Sequence, residues 1–215
     1  MILSGPEIER QVTGGNIEIT PWDLKKSNPA SFDLTLGGLG AVYSEVVEHR
    51  DLSDPSGRSF YPKDGVLDSA KDNPTLQFEL PKSGFVLKPG IGYLLHTEEI
   101  ICAEEFVPVL DGKSSIGRLF TKIHETAGYL DPSFRGQVTL EVTVVHAVWV
   151  YPGMRIGQIR FHTLVGELRP YNGNYTGDRA KGPVGSRCWK QLAEDGIETL
   201  SIERLERGTD KSTTG

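Results

Sequence analysis

Gln137-Val138-Thr139-Leu140-Glu141-Val142-Thr143-Val144-Val145 decides how this chain folds. Apolar and polar residues alternate through it, the period of a strand with one face turned inward. Val138 and Leu140 share one face, while Thr139, Glu141 and Thr143 share the other. A carboxylate on that second face can point into a polar cleft, and burial of such a group raises its proton affinity, which suits a base or proton shuttle. The other reading is a solvated strand glutamate, the commoner state of this residue.

Further short alternating runs lie on either side. Upstream are Ile17-Glu18-Ile19, Phe32-Asp33-Leu34-Thr35-Leu36, Val42-Tyr43, Glu45-Val46-Val47, Leu76-Gln77-Phe78-Glu79-Leu80 and Val107-Pro108-Val109-Leu110; residues 147–150 and 155–163 follow. Pro, Gly and Asn turns separate them. Residues 84–96 predict two strands joined across Pro89-Gly90. Ser4 ahead of Glu7-Ile8-Glu9-Arg10-Gln11-Val12 predicts a capped helix with Glu7 in the reciprocal position, and residues 115–119 a short one. With no ordinary interior helix after residue 12, the pattern predicts an all-β fold with short peripheral helices, a distorted barrel or jelly roll. Residues 51–73, rich in Asp, Ser, Pro, Gly and Lys, read as a flap or insertion. A last helix is expected over 194–205 and fraying over 208–215.

The 215 residues suit one domain with peripheral segments. A formal net charge of -6 with dispersed lysines and arginines argues against a nucleic-acid surface. No run reaches membrane-spanning length, and the start has no long apolar core. Cys102 and Cys188 are the only cysteines, far apart, as expected of free thiols in a reducing compartment. A cytoplasmic protein is the resulting expectation.

Asp111-Gly112-Lys113-Ser114-Ser115-Ile116-Gly117-Arg118 and Thr126-Ala127-Gly128-Tyr129-Leu130-Asp131-Pro132-Ser133-Phe134-Arg135-Gly136 carry the densest chemistry. Arg118 and Arg135 suit phosphate oxygens, with Lys113 a more mobile charge and Ser114, Ser115 and nearby peptide N–H groups completing an anion-binding turn. The spacing of a nucleotide-hydrolase phosphate loop is lacking. Asp131 reads either as a functional carboxylate or as a turn stabiliser. His124-Glu125 is no metalloprotease motif, because position 128 is glycine. Nor can the two distant cysteines form a zinc deaminase site, so a zinc-free hydrolytic site is expected.

These stretches, with Pro152-Gly153-Met154-Arg155-Ile156-Gly157-Gln158, Pro29-Ala30-Ser31-Phe32-Asp33-Leu34-Thr35-Leu36-Gly37 and the opening Met1-Ile2-Leu3-Ser4, resemble the successive motifs of the dCTP deaminase family, within the trimeric dUTPase-like superfamily. The resemblance runs through Tyr171. It implies a distorted dUTPase-like β-barrel, a homotrimer with nucleotide sites at subunit boundaries, and Mg2+ accompanying the triphosphate. It implies that Glu141 activates water and transfers protons during cytosine deamination, and that Ser114 and Arg118 organise base and water. The Ala127 backbone joins that pocket, and Asp131 holds the deoxyribose hydroxyl region and helps position water for diphosphate release. Lys113, Ser115, Gly128, Tyr129, Arg135, Gln158 and Tyr171 are carried over as substrate-binding positions.

Residues 126–131 are closer to members that combine deamination with dUTP hydrolysis, with Gly128 expected to leave room along the sugar and phosphate path. From about residue 171 a carboxy-terminal lid is expected. There the family's Lys-Tyr and downstream Gln are represented by Asn174-Tyr175 and Asp178, and residues 182–187 resemble the closing segment. Arg179 and Lys181 either restore phosphate binding through a shifted loop or decorate a mobile tail. The implied function is hydrolysis of dCTP to dUTP and ammonia, with onward hydrolysis to dUMP and diphosphate as a second activity. A dUTP diphosphatase without deaminase activity and a non-catalytic dNTP-binding regulator are the alternatives.

Overall fold

The computed structural model describes residues 1–43, 46–49, 59–62 and 67–196, the two middle stretches by their backbone alone. The elements are α1 (Gly5–Thr13), β1 (Ile17–Thr20), β2 (Ser27–Asn28), β3 (Ser31–Thr35), β4 (Leu39–Tyr43), β5 (Val46–His49), β6 (Ser59–Pro62), β7 (Thr75–Glu79), β8 (Phe85–Leu87), β9 (Tyr93–Ala103), β10 (Phe106–Gly112), α2 (Ser114–Gly117), β11 (Thr121–Lys122), β12 (Arg135–Val144), β13 (Val148–Val150), β14 (Arg155–Thr163) and α3 (Cys188–Glu194). The chain divides into two compact units, one of Met1–Val66 with Pro74–Gly185, the other of Leu67–Asn73 with Ser186–Gly215.

In the larger unit one sheet runs β11-β12-β9-β4-β7, with β1 also on β9, and a second runs β10-β14-β3-β2; β13-β8 and β5-β6 are two-stranded pairs. All these pairings are antiparallel. Phe32 and Leu34 from β3, Leu95 and Ile101 from β9, Leu140 and Val142 from β12 and Ile159 and Phe161 from β14 meet in one core. The all-β expectation holds, as antiparallel sheets with short peripheral helices, and no sheet closes into a barrel among the described residues. No helix among the described residues is long and apolar enough to cross a membrane.

β12 shows the alternation read from its sequence, each even-numbered residue from Gly136 to Val144 buried and each odd one from Gln137 to Thr143 half-buried. Its partner β9 carries a bulge where the register shifts between Gln137 and Thr139. The Val138 N–H left over there donates to the buried Thr97 Oγ1 at 2.9 Å, so the irregularity orphans no backbone donor. The same bulge turns Glu99 inward, where it accepts from Lys26 Nζ at 2.8 Å and from the Thr35 N–H at 2.9 Å.

Ser4 caps α1 as expected, accepting from the Glu7 N–H at 3.4 Å. The Glu7 carboxylate, however, takes the Gln11 amide at 2.6 Å and pairs with Arg10 instead of reaching back to the cap. Two strands flank Pro89-Gly90, yet they are not a hairpin: β8 pairs with β13, whereas β9 pairs with β12, β1 and β4. A local turn signal cannot specify which sheet each arm joins. The flap reading falls partly on residues 51–58 and 63–66, outside the described residues; 59–62 form β6 against β5, and 67–73 belong to the smaller unit. Most of the last-helix reading and all of 208–215 lie outside them too, and the helix that is described, α3, ends at Glu194.

His96 on β9 is buried. Its Nε2 accepts from the Leu39 N–H at 3.2 Å and its Nδ1 faces the Thr97 carbonyl at 2.8 Å, which fixes a neutral ring with the proton on Nδ1. Burial pushes its pKa below the usual 6.5, against the opposing Thr97 carbonyl and Glu98 charge. Above pH 6.5 the ring is neutral folded or unfolded; below it the unfolded chain binds a proton that the native ring refuses. Stability is therefore expected to fall as the pH drops from 6.5 toward the lower native value. Urea unfolding between about pH 7.5 and about pH 5.5 should show a shallower decline for His96→Gln than for the parent, and equal slopes would refute the assignment.

Candidate active site

The β10–α2–β11 connection brings the first motif to β12. α2 exposes Ser114 and Ser115 while burying Ile116, Arg118 just after it is exposed, and β11 returns the chain onto β12 through the pairs Thr121 with Val144 and Lys122 with Thr143. The next segment crosses the polar face of β12. There the Glu125 N–H donates to Glu141 Oε2 at 3.1 Å, and the Thr143 hydroxyl donates to Glu125 Oε1 at 2.7 Å. Glu141 is half-buried, with one oxygen anchored and, among the described residues, no hydrogen bond to Oε1. Neither Ser114 nor Arg118 is hydrogen-bonded to Glu141 within the chain, again among the described residues.

Beyond Glu125 the chain leaves β12 for β10. Ala127 is exposed, Tyr129 bridges to Val109, and the Leu130 N–H donates to the Pro108 carbonyl at 2.9 Å. Gly128 is buried here for a reason internal to the chain. A Cβ would stand 2.5 Å from the Leu110 carbonyl oxygen and 3.1 Å from the His124 ring, so the space it leaves lets this segment lie against β10. Asp131 follows, exposed, in a turn where its carbonyl accepts from the Phe134 N–H at 3.1 Å. Gln158 sits on β14 between Asp111 and Asp33, accepting from Ser31 Oγ at 3.4 Å.

Three of the cations read as phosphate ligands are occupied within the chain. Lys113 Nζ lies 2.8 Å from both oxygens of Asp33, whose side chain is 0 % exposed. Asn28 Nδ2 at 2.8 Å and Arg155 Nη1 at 3.1 Å complete that cluster. Burial pushes the Asp33 carboxyl up, but the hydrogen bonds from Lys113 and Asn28, the Lys113 charge and the Arg155 hydrogen bond outweigh it and hold the group below its usual 3.8. Arg135 is bidentate to Glu18, at 2.8 and 2.7 Å, and Lys181 pairs with Asp178 at 2.6 Å. Arg118 and Arg179 are exposed.

The segment after Tyr171 is docked on β12. The Tyr171 N–H donates to the Pro132 carbonyl at 2.8 Å, and its ring tilts against Phe134 with centroids 6.4 Å apart. The Arg135 N–H donates to Thr176 Oγ1 at 2.9 Å, the Gln137 N–H to the Ala180 carbonyl at 2.9 Å, the Gly182 N–H to Gln137 Oε1 at 2.8 Å, and the Val184 N–H to Thr139 Oγ1 at 3.2 Å. Gly136 permits this approach, because a Cβ there would lie 2.2 Å from the Ala180 Cβ. The segment therefore climbs β12 as far as Thr139, one step of the alternation short of Glu141.

The model of the dCTP deaminase-like family matches residues 2–164. This chain belongs to that family. Two relatives named "dCTP deaminase, dUMP-forming" align over 184 residues, 85% of this chain: one from Leptospira biflexa serovar Patoc, 39% identical with 94% of its length covered, and one from Clostridium beijerinckii, 38% identical with 95% covered. The crystal structure of 2'-deoxycytidine 5'-triphosphate deaminase from Agrobacterium tumefaciens shares the fold with a TM-score of 0.53 at 22% identity, over 75% of this chain and 48% of that one, so the chain spans about half its length.

Within this family's motifs, sequence reasoning passed over Asp33 and Arg155 as individual side chains, and Glu125 and Thr143 as a pair. The signal for Asp33 was present: a carboxylate between Phe32 and Leu34, which are both fully buried. Its cationic partners lie 80 and 122 residues away, which no local pattern encodes.

Proposed function

We propose that this chain deaminates dCTP and carries the uracil nucleotide on to dUMP with release of diphosphate, as one catalytic domain of a cytoplasmic homotrimer whose sites lie at subunit boundaries. dCTP and dUTP are its ligands, with no nucleic-acid partner. The anchored, half-buried Glu141 carries this reading, together with relatives named for the dUMP-forming reaction. With Oε2 held by the Glu125 N–H, the carboxylate has its other oxygen left to take a proton from water. The hydroxide attacks C4 of cytosine, and the proton passes to the departing ammonia. Ser114 and Arg118 act as donors toward the ring and water as charge develops, with the Ala127 backbone in the same pocket. Asp131 holds the sugar hydroxyl and positions the second water for diphosphate release. Ser115, Tyr129, Gln158, Tyr171 and Arg179 contact the nucleotide or close over it.

Mg2+ would arrive with the triphosphate and take most of its ligands from the phosphate oxygens and water, with the exposed Ser115 hydroxyl as a hard oxygen donor of the chain suited to it. When bound, that ion neutralises and orients the phosphate oxygens. Among the described residues no group of three His, Cys, Asp or Glu side chains is gathered to hold a metal.

The test supplies dCTP or dUTP with magnesium and follows ammonia, dUTP, dUMP and diphosphate together. From dCTP, ammonia and diphosphate should appear in equal amounts, with dUMP as product. Accumulation of dUTP without dUMP removes the second activity. Turnover of dUTP alone selects a diphosphatase, and tight binding with no release selects a regulator. Asp131→Asn should slow diphosphate release about a hundredfold, and an unchanged rate removes Asp131 from that role.

A further inference from the structure

We infer that Thr143 and Glu125 are positioning residues for the Glu141 carboxylate, acting through the Glu125 backbone N–H. The inference rests on the proposed role of Glu141 as the proton carrier. Thr143 pairs with Lys122 across the β11–β12 ladder, and its hydroxyl reaches past that pair to Glu125 Oε1 at 2.7 Å. Lys122 Nζ stands 3.6 Å from the other Glu125 oxygen. The Thr143 hydrogen bond, against slight desolvation and with help from Lys122, holds the Glu125 carboxyl below its usual range, which keeps it an acceptor. The outcome is a short circuit of contacts from Thr143 through the Glu125 side chain to the Glu125 amide, which donates to Glu141 Oε2 at 3.1 Å.

The geometry explains why a threonine stands at 143. Glu141 and Thr143 are successive residues of one strand face, so a loop tethered to the second is suspended beside the first. A glutamate side chain has three rotatable bonds. Pinning one of its oxygens with a fixed peptide donor leaves the other in a single direction, so the reacting water meets an oriented acceptor. Glu125 is exposed, and nothing in the Coulomb interaction of its own charge with substrate is needed for this role. It is the tether that holds the amide in place.

The experiment compares Thr143→Val, Glu125→Ala and Thr143→Ser with the parent, in full-length protein. Ammonia release from dCTP is read as kcat and KM separately, and hydrogen exchange is read at the Glu125 amide. Thr143→Val keeps the shape and loses the hydroxyl; its kcat should fall about tenfold with KM changed by less than about twofold, and the Glu125 amide should exchange faster. Glu125→Ala should match it, and the double variant should be no worse than either single one, because both cut the same link. Thr143→Ser should recover to within about threefold of the parent. A Thr143→Val protein with parental kcat overturns the inference, as does one whose rate falls while the exchange at residue 125 stays unchanged. Glu141→Gln in the same assay separates the two levels. If it stays active, the proton-carrier reading fails and takes this inference with it; if it is dead while Thr143→Val is fully active, only the tether is wrong.

Discussion

Glu141→Gln is expected to slow ammonia release from dCTP by roughly 10²–10⁴-fold while dCTP still binds. The substitution keeps the volume and leaves an amide oxygen able to accept the Glu125 N–H that now reaches Glu141 Oε2 at 3.1 Å, so β12 and the crossing segment stay in place. On the proposed role, what would disappear is the capacity to take a proton from water and deliver it to ammonia. The flanking Leu140 and Val142 are buried in the core and are untouched, so thermal unfolding should match the parent. Measured together, binding by calorimetry, ammonia release and melting separate chemistry from folding. Parental deamination with parental affinity would remove Glu141 from proton transfer.

Replacing Asp33 has the largest expected effect on stability. Its carboxylate is fully enclosed and receives Lys113, Asn28 and Arg155 from three separate parts of the chain. Asp33→Ala strands Lys113 and Arg155 beside an apolar gap. Because the Lys113 and Arg155 side chains are 27 % and 44 % exposed, they can partly rehydrate, which places the cost near the low end for breaking a buried pair, about 3 kcal/mol. For a chain of this size that lowers the melting temperature by roughly 6–12 °C. Asp33→Asn, which keeps the shape and one acceptor oxygen, should lose about 2 kcal/mol. The depressed pKa adds a pH signature. The stabilisation from ionised Asp33 is present above 3.8 and disappears as the pH falls through the still lower native value, so the parent and Asp33→Asn should converge in strong acid. Melting temperatures within about 2 °C of each other near neutral pH would show the cluster to be dispensable.

Much of this was legible in the sequence. Alternation marked β12, and with it the side of the strand from which Glu141 projects, because a two-residue period leaves no choice of face once Val138 and Leu140 are inward. The Ser4 cap and the short helix after Lys113 followed from local chemistry in the same way. What stayed hidden depends on partners far along the chain. Pro89-Gly90 announced a turn without saying that β8 and β9 belong to different sheets. Lys113 and Arg135 were legible as cations suited to phosphate, but their pairing with Asp33 and Glu18, 80 and 117 residues away, was not. That Gly128 also admits the Leu110 carbonyl and the His124 ring, where a Cβ would stand 2.5 Å and 3.1 Å from them, could not be read locally either.

The docking of residues 176–184 on β12 reaches beyond the site itself. Those residues cap N–H groups of Arg135 and Gln137 on the strand's outer margin, a job normally done by a neighbouring strand. A chain shortened to end near residue 175 would leave those two N–H groups without these partners and is expected to offer that margin to strand pairing between copies.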